Sequence, residues 1–530
     1  MLQGNTVDAV LRERLAADPD SPFVSFGSDW FSLRDLDERS DRLATGLARL
    51  GVRRGDHVAS ILPNRVETID LLFAVAKLGA VQVPLNYWIK GDFLEYQLVD
   101  SGAKFLIADG PGYEAAAGLL NLTDVQQVVH VGRAVPNTVP YADLLTERGT
   151  FTSEARPSDL LAIMYTSGTT AAAKGCMLST GYYVTVGRAY GARNWVVPGD
   201  RMYTAHPLFH SSGQMVSFMS VLVNDASICF APEFHASTYI ADAVAAEATM
   251  LEGVGVMGNM ILAQPPQPVD GAHPFRLAVW VPMSVENQAE FERRFNTPVI
   301  SEGYGQTECV PITNSDPYGV RDRTTSGQVS PMLDVSVVDE HDEPVPHGVA
   351  GELVVRPRVP QAMFSGYWKK PDVTADAWRN LWHHTGDFGF VDAQGVITFV
   401  DRKKDMVRRR GENVSALALE QVIRQHPAID DVAVCGVPAA VGDDDIKATL
   451  VLAGGATLTA PEFFAFVRDE LPYFAIPRYV DIRGALPVNA LGRVMKHVLR
   501  DEGVTTATWD LESEGLVLTR QERHAAQTTT

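Results

Sequence analysis

Cysteine is scarce in this chain, and the few cysteines present lie far apart. They occupy positions 176, 229, 309 and 435, with no Cys-x-x-Cys pair and no spacing typical of metal ligands. Small disulfide frameworks and structural zinc sites are typically built from cysteines at close, regular spacing. The pattern therefore argues against both and predicts buried thiols.

The chain also lacks a basic excess, a long apolar run and an export signal. Its formal net charge of −20 disfavours nucleic acids and anionic membranes as partners, although a local basic site for an anionic cofactor stays open. No apolar stretch reaches the length of a membrane span, and the start, MLQGNTVDAVLRERL, has no basic segment followed by an apolar one. We expect a cytoplasmic protein with no nucleic-acid partner and no membrane insertion.

What the chain does have is length and an alternating pattern. Its 530 residues exceed the size of one hydrophobic core, so two or more domains are expected. Segments of helical period alternate with short apolar runs between about residues 24 and 260, which predicts βαβ layers. Short strands at 334–356 and 396–400 predict a smaller antiparallel or barrel-like sheet, and another α/β unit reaches about residue 500. The polar end from about residue 519 predicts disorder.

Residues 165–175 (YTSGTTAAAKG) combine hydroxyls, glycine and one lysine directly after an apolar run at 160–164. A loop that leaves a buried strand can present N–H groups, hydroxyls and a cation to phosphate oxygens. The segment is not a Walker loop, because Ala173 precedes Lys174 and Gly175 follows it. The composition favours polyphosphate binding, with an ordinary polar loop as the alternative.

Other segments offer related chemistry. YGQTE at 304–308 brings an aromatic ring, a hydroxyl and a carboxylate together, which suits a base, a phosphate and Mg²⁺. HTGD at 384–387 places an acid in a glycine turn, where it can accept ribose hydroxyls or cap the backbone. The basic run at 401–411 and the lysine of LGRVMK at 491–496 suit anionic ligands or solvated surfaces.

The order of these segments carries more information than any one of them. The hydroxyl loop, YGQTE, HTGD, DRKKD with GENVS, and GRVMK follow one another along the chain. In this order the chain resembles the adenylate-forming superfamily of acyl-CoA synthetases, peptide-synthetase adenylation domains and luciferases, from about residue 20 to 500. DRKKDMVRRRGENVSALALE and the PLN at 84–86 look most like carnitine/crotonobetaine-type and other small-acid CoA ligases.

The resemblance implies an α/β fold in two parts. The large N-terminal domain, residues 1–400, would be a multi-layer αβαβα structure with a small barrel-like β subdomain. Residues 401–404 would form the hinge to a small mobile α+β C-terminal domain at 405–515, followed by a disordered tail at 516–530. The implied substrates and cofactors are ATP, Mg²⁺, CoA and a small carboxylic acid.

The resemblance also implies site residues. The β- and γ-phosphates would be held by a loop set, namely Ser167, Gly168, Thr169, Thr170 and Lys174. Within YGQTE, Tyr304 would stack on adenine, with Gly305 and Gln306 beside it, while Thr307 would contact the α-phosphate and Glu308 would bind Mg²⁺. Asp387 and Arg402 would hold the ribose, and Lys496 would lie between carboxylate and phosphate. Lys404 would lie at the hinge, with Arg410 and Gly411 on the pantetheine tunnel. His210 would gate the acyl pocket, which would be lined by Trp280, Val281 and Met283.

Two departures from the family pattern affect the prediction. Ala171 and Ala173 stand where relatives usually have Gly and Pro, which predicts altered mobility of the phosphate loop. Trp280 stands where relatives have a glycine, and the added volume predicts a short or compact acid.

Several alternatives stay open at this stage. The acceptor can be a carrier-protein phosphopantetheine or an amine in place of CoA, or the enzyme can activate an unusual oxyacid such as nitrite for an arylamine. A catalytically silent nucleotide-binding protein with this fold is the alternative of another class. Homodimerisation is also left open.

Overall fold

The computed structural model describes residues 3–133, 135–151, 154–166, 173–402, 405–409, 412–439, 444–471, 475–488 and 494–517. Of the predicted site residues, Ser167, Gly168, Thr169, Thr170, Lys404, Arg410 and Gly411 lie outside these ranges, as does Ala171. Most of the predicted tail, from residue 518, lies outside them as well.

The described helices are, in chain order, α1 (Val7–Ala17), α2 (Leu33–Leu50), α3 (Val66–Leu78), α4 (Asp92–Ser101), α5 (Gly110–Ala117), α6 (Tyr141–Leu144), α7 (Thr180–Ala192), α8 (Met219–Val223), α9 (Tyr239–Ala245), α10 (Gly255–Leu262), α11 (Val285–Phe295), α12 (Pro371–Ala377), α13 (Ala416–Ile423), α14 (Ala460–Glu470) and α15 (Lys496–Asp501). A π-helix spans Ser212–Phe218, and short 3-10 turns span Leu120–Leu122 and Arg379–Leu381. None of the described helices combines the length and the apolar character that a membrane crossing requires.

The described strands are β1 (Pro22–Phe26), β2 (Asp29–Ser32), β3 (His57–Ile61), β4 (Val81–Pro84), β5 (Phe105–Ala108), β6 (Gln127–His130), β7 (Val139–Pro140), β8 (Leu160–Thr166), β9 (Lys174–Ser179), β10 (Arg201–Thr204), β11 (Ser227–Phe230), β12 (Met250–Val254), β13 (Leu277–Val281), β14 (Val299–Ile300), β15 (Gly303–Gln306), β16 (Cys309–Asn314), β17 (Gly327–Gln328), β18 (Leu333–Val338), β19 (Gly351–Pro357), β20 (His383–Val391), β21 (Val396–Arg402), β22 (Met406–Arg409), β23 (Glu412–Ser415), β24 (Ile429–Pro438), β25 (Asp444–Leu452), β26 (Tyr479–Arg483) and β27 (Trp509–Asp510).

The large domain is layered around two sheets of seven strands each. One sheet has the order β14-β13-β12-β10-β11-β1-β2 and the other β7-β6-β5-β3-β4-β8-β9. The largest apolar cluster joins α2, α3, α7 and α8 to both sheets. Separate clusters cover the outer faces, with α9, α10 and α11 on the first sheet and α4 and α5 on the second. This arrangement confirms the predicted αβαβα layers.

Local sequence signals set both ends of helix α2. Helix α2 begins at a capping box between Ser32 and Asp35, and it ends at Gly51, whose φ is +104°. A glycine adopts this left-handed conformation without the steric cost that a side chain would add. Gly51 therefore ends the helix.

The strand order of the first sheet reverses at one point. From β10 the chain passes to β11 on one side, and it then returns to place β12 on the other side of β10, with all three strands parallel. Open α/β sheets bind ligands outside the carboxyl ends of their strands at such a reversal. The carboxyl ends of β10 and β12 are therefore the part of this sheet best placed for a substrate.

A five-stranded antiparallel sheet follows, in the order β17-β21-β20-β19-β18, and it confirms the predicted smaller sheet. The small C-terminal domain has its own apolar core, in which α13 and α14 pack on the sheet β24-β25-β26-β27. Asp401 of β21 accepts hydrogen bonds of 2.9 Å from both Ser415 Oγ and Leu417 N, so the last strand of the large domain contacts the first turn of α13. The hinge at 401–404 stays a prediction.

Candidate active site

The structure brings the YGQTE and HTGD segments together. The Tyr304 hydroxyl donates to Asp387 Oδ2 at 2.5 Å, and Gln306 Nε2 donates to the same oxygen at 2.7 Å. Burial and the Asp387 carboxylate both raise the pKa of Tyr304 well above its usual value, so the phenol stays a donor. The predicted adenine and ribose residues thus form one hydrogen-bonded unit between β15 and β20, while the side chain of Arg402 is not among those described.

Glu352 of β19 holds the turn that carries Asp387, and sequence reasoning missed it. Its Oε1 accepts a hydrogen bond of 3.3 Å from Gly386 N, and Thr385 Oγ1 donates to Leu353 O at 2.7 Å. Gly386 has a φ of +69°, a conformation that favours glycine. These contacts fix the bulge in β20 from which Asp387 projects.

Two nitrogen-bearing side chains lie against the other oxygen of Glu352. His384 Nδ1 lies 3.2 Å and Arg379 Nη2 lies 3.3 Å from Glu352 Oε2. Asp342, Glu352 and His384 could together offer ligand atoms within 4.8 Å of one another. Arg379 also lies 2.9 Å from Asp342, and its guanidinium supplies the positive charge that these carboxylates need.

A buried histidine next to this network makes stability depend on pH. His383 is 3% exposed, and neither ring nitrogen has a hydrogen-bond partner among the described residues. Burial first, and then the charges of His384 and Lys174, lower its pKa from 6.5 to about 3. The unfolded chain therefore takes up a proton near pH 6.5, whereas the folded protein stays unprotonated until about pH 3, and stability falls across this range as pH decreases.

We expect acidification from pH 7 to pH 5 to lower the free energy of unfolding by about 2 kcal/mol through this group. His383→Phe removes the titrating group and keeps an aromatic ring against Phe364. Its free energy of unfolding should therefore fall by about 2 kcal/mol less over the same pH range. Urea unfolding of both proteins at the two pH values measures the difference. Identical losses would show that His383 does not titrate as described.

The predicted metal ligand lies at the other end of YGQTE. Glu308 is 9% exposed, and its Oε1 accepts a hydrogen bond of 2.8 Å from the Tyr367 hydroxyl. Lys174, the one predicted phosphate ligand of the loop within the described residues, has its Nζ 4.5 Å from the centre of the Tyr367 ring. Burial first, and then the Glu308 carboxylate, raise the pKa of Cys176. The thiol beside Glu308 is therefore neutral. Tyr367 thus links the predicted metal and phosphate residues, and sequence reasoning missed it because it lies 59 residues from Glu308.

These residues fit a magnesium ion. Mg²⁺ prefers a few carboxylate oxygens together with phosphate and water oxygens. Glu308 offers such a carboxylate, and the hydrogen bond from Tyr367 orients it.

Thr307 contacts the segment that follows β10. Its hydroxyl lies 3.1 Å from Ser211 Oγ, immediately before the π-helix Ser212–Phe218. Insertions of this kind in helices are frequent at functional sites. His210 is exposed, and its Nδ1 lies 2.8 Å from Ser212 Oγ, so the predicted gate lies next to the predicted α-phosphate residue.

The three predicted acyl-pocket residues separate onto different surfaces. Trp280 is fully buried among Tyr239, Phe291 and other members of the outer apolar cluster, and its Nε1 has no hydrogen-bond partner among the described residues. A Cβ on Gly253 or Gly258 would lie 2.7 or 2.9 Å from the indole, so these glycines make room for it. Val281 packs on the opposite, inner side of the sheet, and Met283 is buried in the outer cluster.

Lys496 is held within the small domain. It is the first residue of α15, and its Nζ lies 2.8 Å from Glu420 Oε1. That oxygen also accepts a hydrogen bond of 2.7 Å from Val434 N. Burial raises the pKa of Glu420, and Lys496 opposes this effect. The proposed contact of Lys496 with carboxylate and phosphate stays a prediction.

The Tyr304 hydroxyl gives a test of the adenosine end. Tyr304→Phe keeps the ring but leaves Asp387 Oδ2 with one fewer donor, so we expect the KM for ATP to rise about 3- to 10-fold with kcat within about twofold. Tyr318→Phe is a matched control, because Tyr318 is 62% exposed. Steady-state pyrophosphate release at varied ATP measures both variants, and an unchanged KM in Tyr304→Phe would contradict the assigned position.

Comparisons with known proteins agree with this geometry. Residues 11–368 match the model of the AMP-binding enzyme family, and residues 418–493 match that of the AMP-binding enzyme C-terminal domain. The chain is 30% identical over 482 residues to a crotonobetaine/carnitine–CoA ligase of Salmonella agona (strain SL483), covering 89% of this chain and 93% of that protein.

Solved structures show the same fold. ATP-bound MatB from Rhodopseudomonas palustris superposes with a TM-score of 0.84 at 27% identity, covering 94% of this chain and 99% of MatB. The anthranilate CoA ligase AuaEII in complex with anthranoyl-AMP superposes with a TM-score of 0.83 at 22% identity, covering 94% and 97% of the two chains, and shows the fold alone. With both family models matched in order, the chain belongs to the AMP-binding enzyme family of adenylate-forming enzymes.

Proposed function

We propose that this AMP-forming acid–CoA ligase activates a small or compact carboxylic acid as its acyl-adenylate and transfers the acyl group to CoA. In the first step a carboxylate oxygen attacks the α-phosphorus of ATP, and pyrophosphate leaves. In the second step the CoA sulfur attacks the acyl carbon, and AMP leaves. The proposal rests on the hydrogen bonds that Tyr304 and Gln306 donate to Asp387, with Glu308 two residues after Gln306.

The residues of the site divide the work of the first step. Tyr304, Gln306 and Asp387 would orient the adenosine, which fixes the α-phosphorus relative to Thr307. Lys174 lies over the ring of Tyr367 and Glu308 accepts from its hydroxyl, and a triphosphate and its metal would be held there. When bound, Mg²⁺ would neutralise charge that develops on the phosphate oxygens.

The packing of Trp280 closes one route for a long acyl chain, in the outer layer of the first sheet. Its indole is fully buried against two glycines, so the layer between β13 and α10 is already filled at this point. A deep tunnel for a long chain along this layer would require the indole to move.

ATP–pyrophosphate exchange with a panel of acids tests the proposal, together with formation of acyl-CoA. The panel should contain short, aromatic and long-chain acids. Exchange with short acids that leads to acyl-CoA supports the proposal, whereas strong turnover of long-chain fatty acids contradicts the compact pocket. Hydroxamate trapping of an adenylate without CoA consumption would favour another acceptor, and no exchange with any acid would favour a silent nucleotide-binding protein.

A further inference from the structure

A buried polar cluster of His206, Ser217 and Glu252 lies in the large domain and has no role in the chemistry described above. His206 Nδ1 lies 3.1 Å from Glu252 Oε1, and Ser217 Oγ donates to Glu252 Oε2 at 2.6 Å. The side chains of His206 and Glu252 are only 8% and 5% exposed. Burial would raise the pKa of Glu252, but His206, Ser217 and Thr204 lower it below its usual value, so the carboxylate stays ionised.

The cluster lies where the strand order of the first sheet reverses. His206 follows the carboxyl end of β10, and Glu252 lies in β12, the strand paired with β10 on the side where the reversal occurs. Thr204 and Glu252 are register partners, so they share one face of the sheet. That face is opposite to the one occupied by Trp280, because Glu252 pairs with Val279 of β13.

Short contacts connect the cluster to the predicted reaction centre. Ser217 Oγ also donates to Ser212 O at 3.0 Å, and the neighbouring Ser211 hydroxyl lies 3.1 Å from that of Thr307. Only the first turn of the π-helix therefore separates the predicted α-phosphate residue from the cluster. The proposed acid, with its carboxylate near Thr307, would extend past this turn toward His206.

One ring nitrogen of His206 has no partner among the described residues. His206 Nε2 is buried, and it makes no hydrogen bond to any described residue. The other ring nitrogen is already used by Glu252, so Nε2 faces away from that carboxylate. A buried polar atom without a partner lowers stability, and such an atom needs an explanation in a folded protein.

We propose that His206 Nε2 is a specificity-determining contact that binds an oxygen carried by a short acid beyond its carboxylate, either a hydroxyl or a carbonyl. The inference rests on the proposed function and names the substrate class within it. An imidazolium paired with Glu252 donates from Nε2 to either oxygen type, and a neutral imidazole accepts from a hydroxyl. Unsubstituted hydrocarbon at this position leaves the nitrogen unpaired, and a site with a buried unpaired polar group discriminates against such a ligand.

Matched pairs of acids test the proposal on the unmodified enzyme. Butanoate is compared with 3-hydroxybutanoate and 4-hydroxybutanoate, and pentanoate with 4-oxopentanoate, using kcat/KM for ATP–pyrophosphate exchange. We expect at least one oxygenated acid to exceed its parent by about tenfold or more. Parents that equal or exceed every oxygenated partner would overturn the inference while leaving adenylation itself established. No exchange with any acid would instead overturn the proposed function, and the inference with it.

Variants of His206 test whether this residue causes the preference for oxygenated acids. His206→Phe should reduce the ratio of oxygenated to parent acid to near one, whereas His206→Gln, which keeps a hydrogen-bonding end, should retain part of it. His235→Phe is the matched control, because His235 is 66% exposed and should leave the ratio unchanged. A ratio that survives in His206→Phe would place the contact elsewhere, and if that variant does not fold, the unmodified enzyme and His206→Gln still decide.

Discussion

Replacement of Lys496 by alanine is expected to lower the rate of adenylate formation about 10³-fold or more, because an ammonium placed at the α-phosphate stabilises charge that develops only in the transition state. Thioester formation from a supplied acyl-adenylate should stay within about twofold of the unmodified rate, since that step has no developing phosphorane charge to stabilise. Pyrophosphate exchange measures the first step, and release of AMP from synthetic acyl-adenylate with CoA measures the second.

The position of Lys496 explains why the two steps should separate. In this structure its charge is paired with Glu420 at 2.8 Å, inside the small domain. In the proposed mechanism the ammonium leaves that carboxylate for the first step, and the predicted rotation of the small domain about residues 401–404 would carry it to the α-phosphate. A lysine that acts in only one of two arrangements affects only the step catalysed in that arrangement.

Arg500→Ala provides the matched control, since it removes a cation from the same helix, α15, one turn away. Its effect on either step should stay within about twofold, as expected for a partly exposed pair with Asp405. Equal losses of both steps in Lys496→Ala would contradict the assigned role and indicate a structural one.

Much of the fold follows from local signals. The mainly apolar segments 57–62, 81–84 and 105–108 belong to the alternating pattern between about residues 24 and 260, and they form β3, β4 and β5, as buried parallel strands do. The pairing of the YGQTE and HTGD segments was accessible only through the resemblance. Nothing in the spacing of Tyr304 and Asp387, 83 residues apart, indicates a hydrogen bond.

The contacts that could not be predicted are hydrogen bonds between polar residues far apart in the sequence. Glu252 stands in an apolar strand, and its partner Ser217 lies 35 residues earlier in a π-helix. A single polar residue in such a strand looks like a tolerated exception until the topology brings the partners together. Trp280 shows the same limit, because the sequence indicates added volume, while only the strand register shows on which face that volume lies.

Replacement of Glu308 by glutamine is expected to lower adenylate formation about 10²- to 10³-fold and to raise the Mg²⁺ concentration needed for half-maximal rate. The amide keeps the size of the side chain and an oxygen that can accept the Tyr367 hydrogen bond, but it removes the negative charge that a divalent cation requires. Pyrophosphate exchange at varied Mg²⁺ with saturating ATP measures both quantities.

Tyr367→Phe separates the charge of Glu308 from its orientation. The variant removes the 2.8 Å hydrogen bond to Glu308 and keeps the ring that lies 4.5 Å from the Lys174 ammonium. Because the carboxylate charge remains, the loss should be only about 3- to 10-fold, with a small change in the Mg²⁺ requirement. If Glu308→Gln and Tyr367→Phe lose activity equally and neither alters the Mg²⁺ dependence, Glu308 acts through its hydrogen bond alone, and the metal ligand must be sought in another carboxylate.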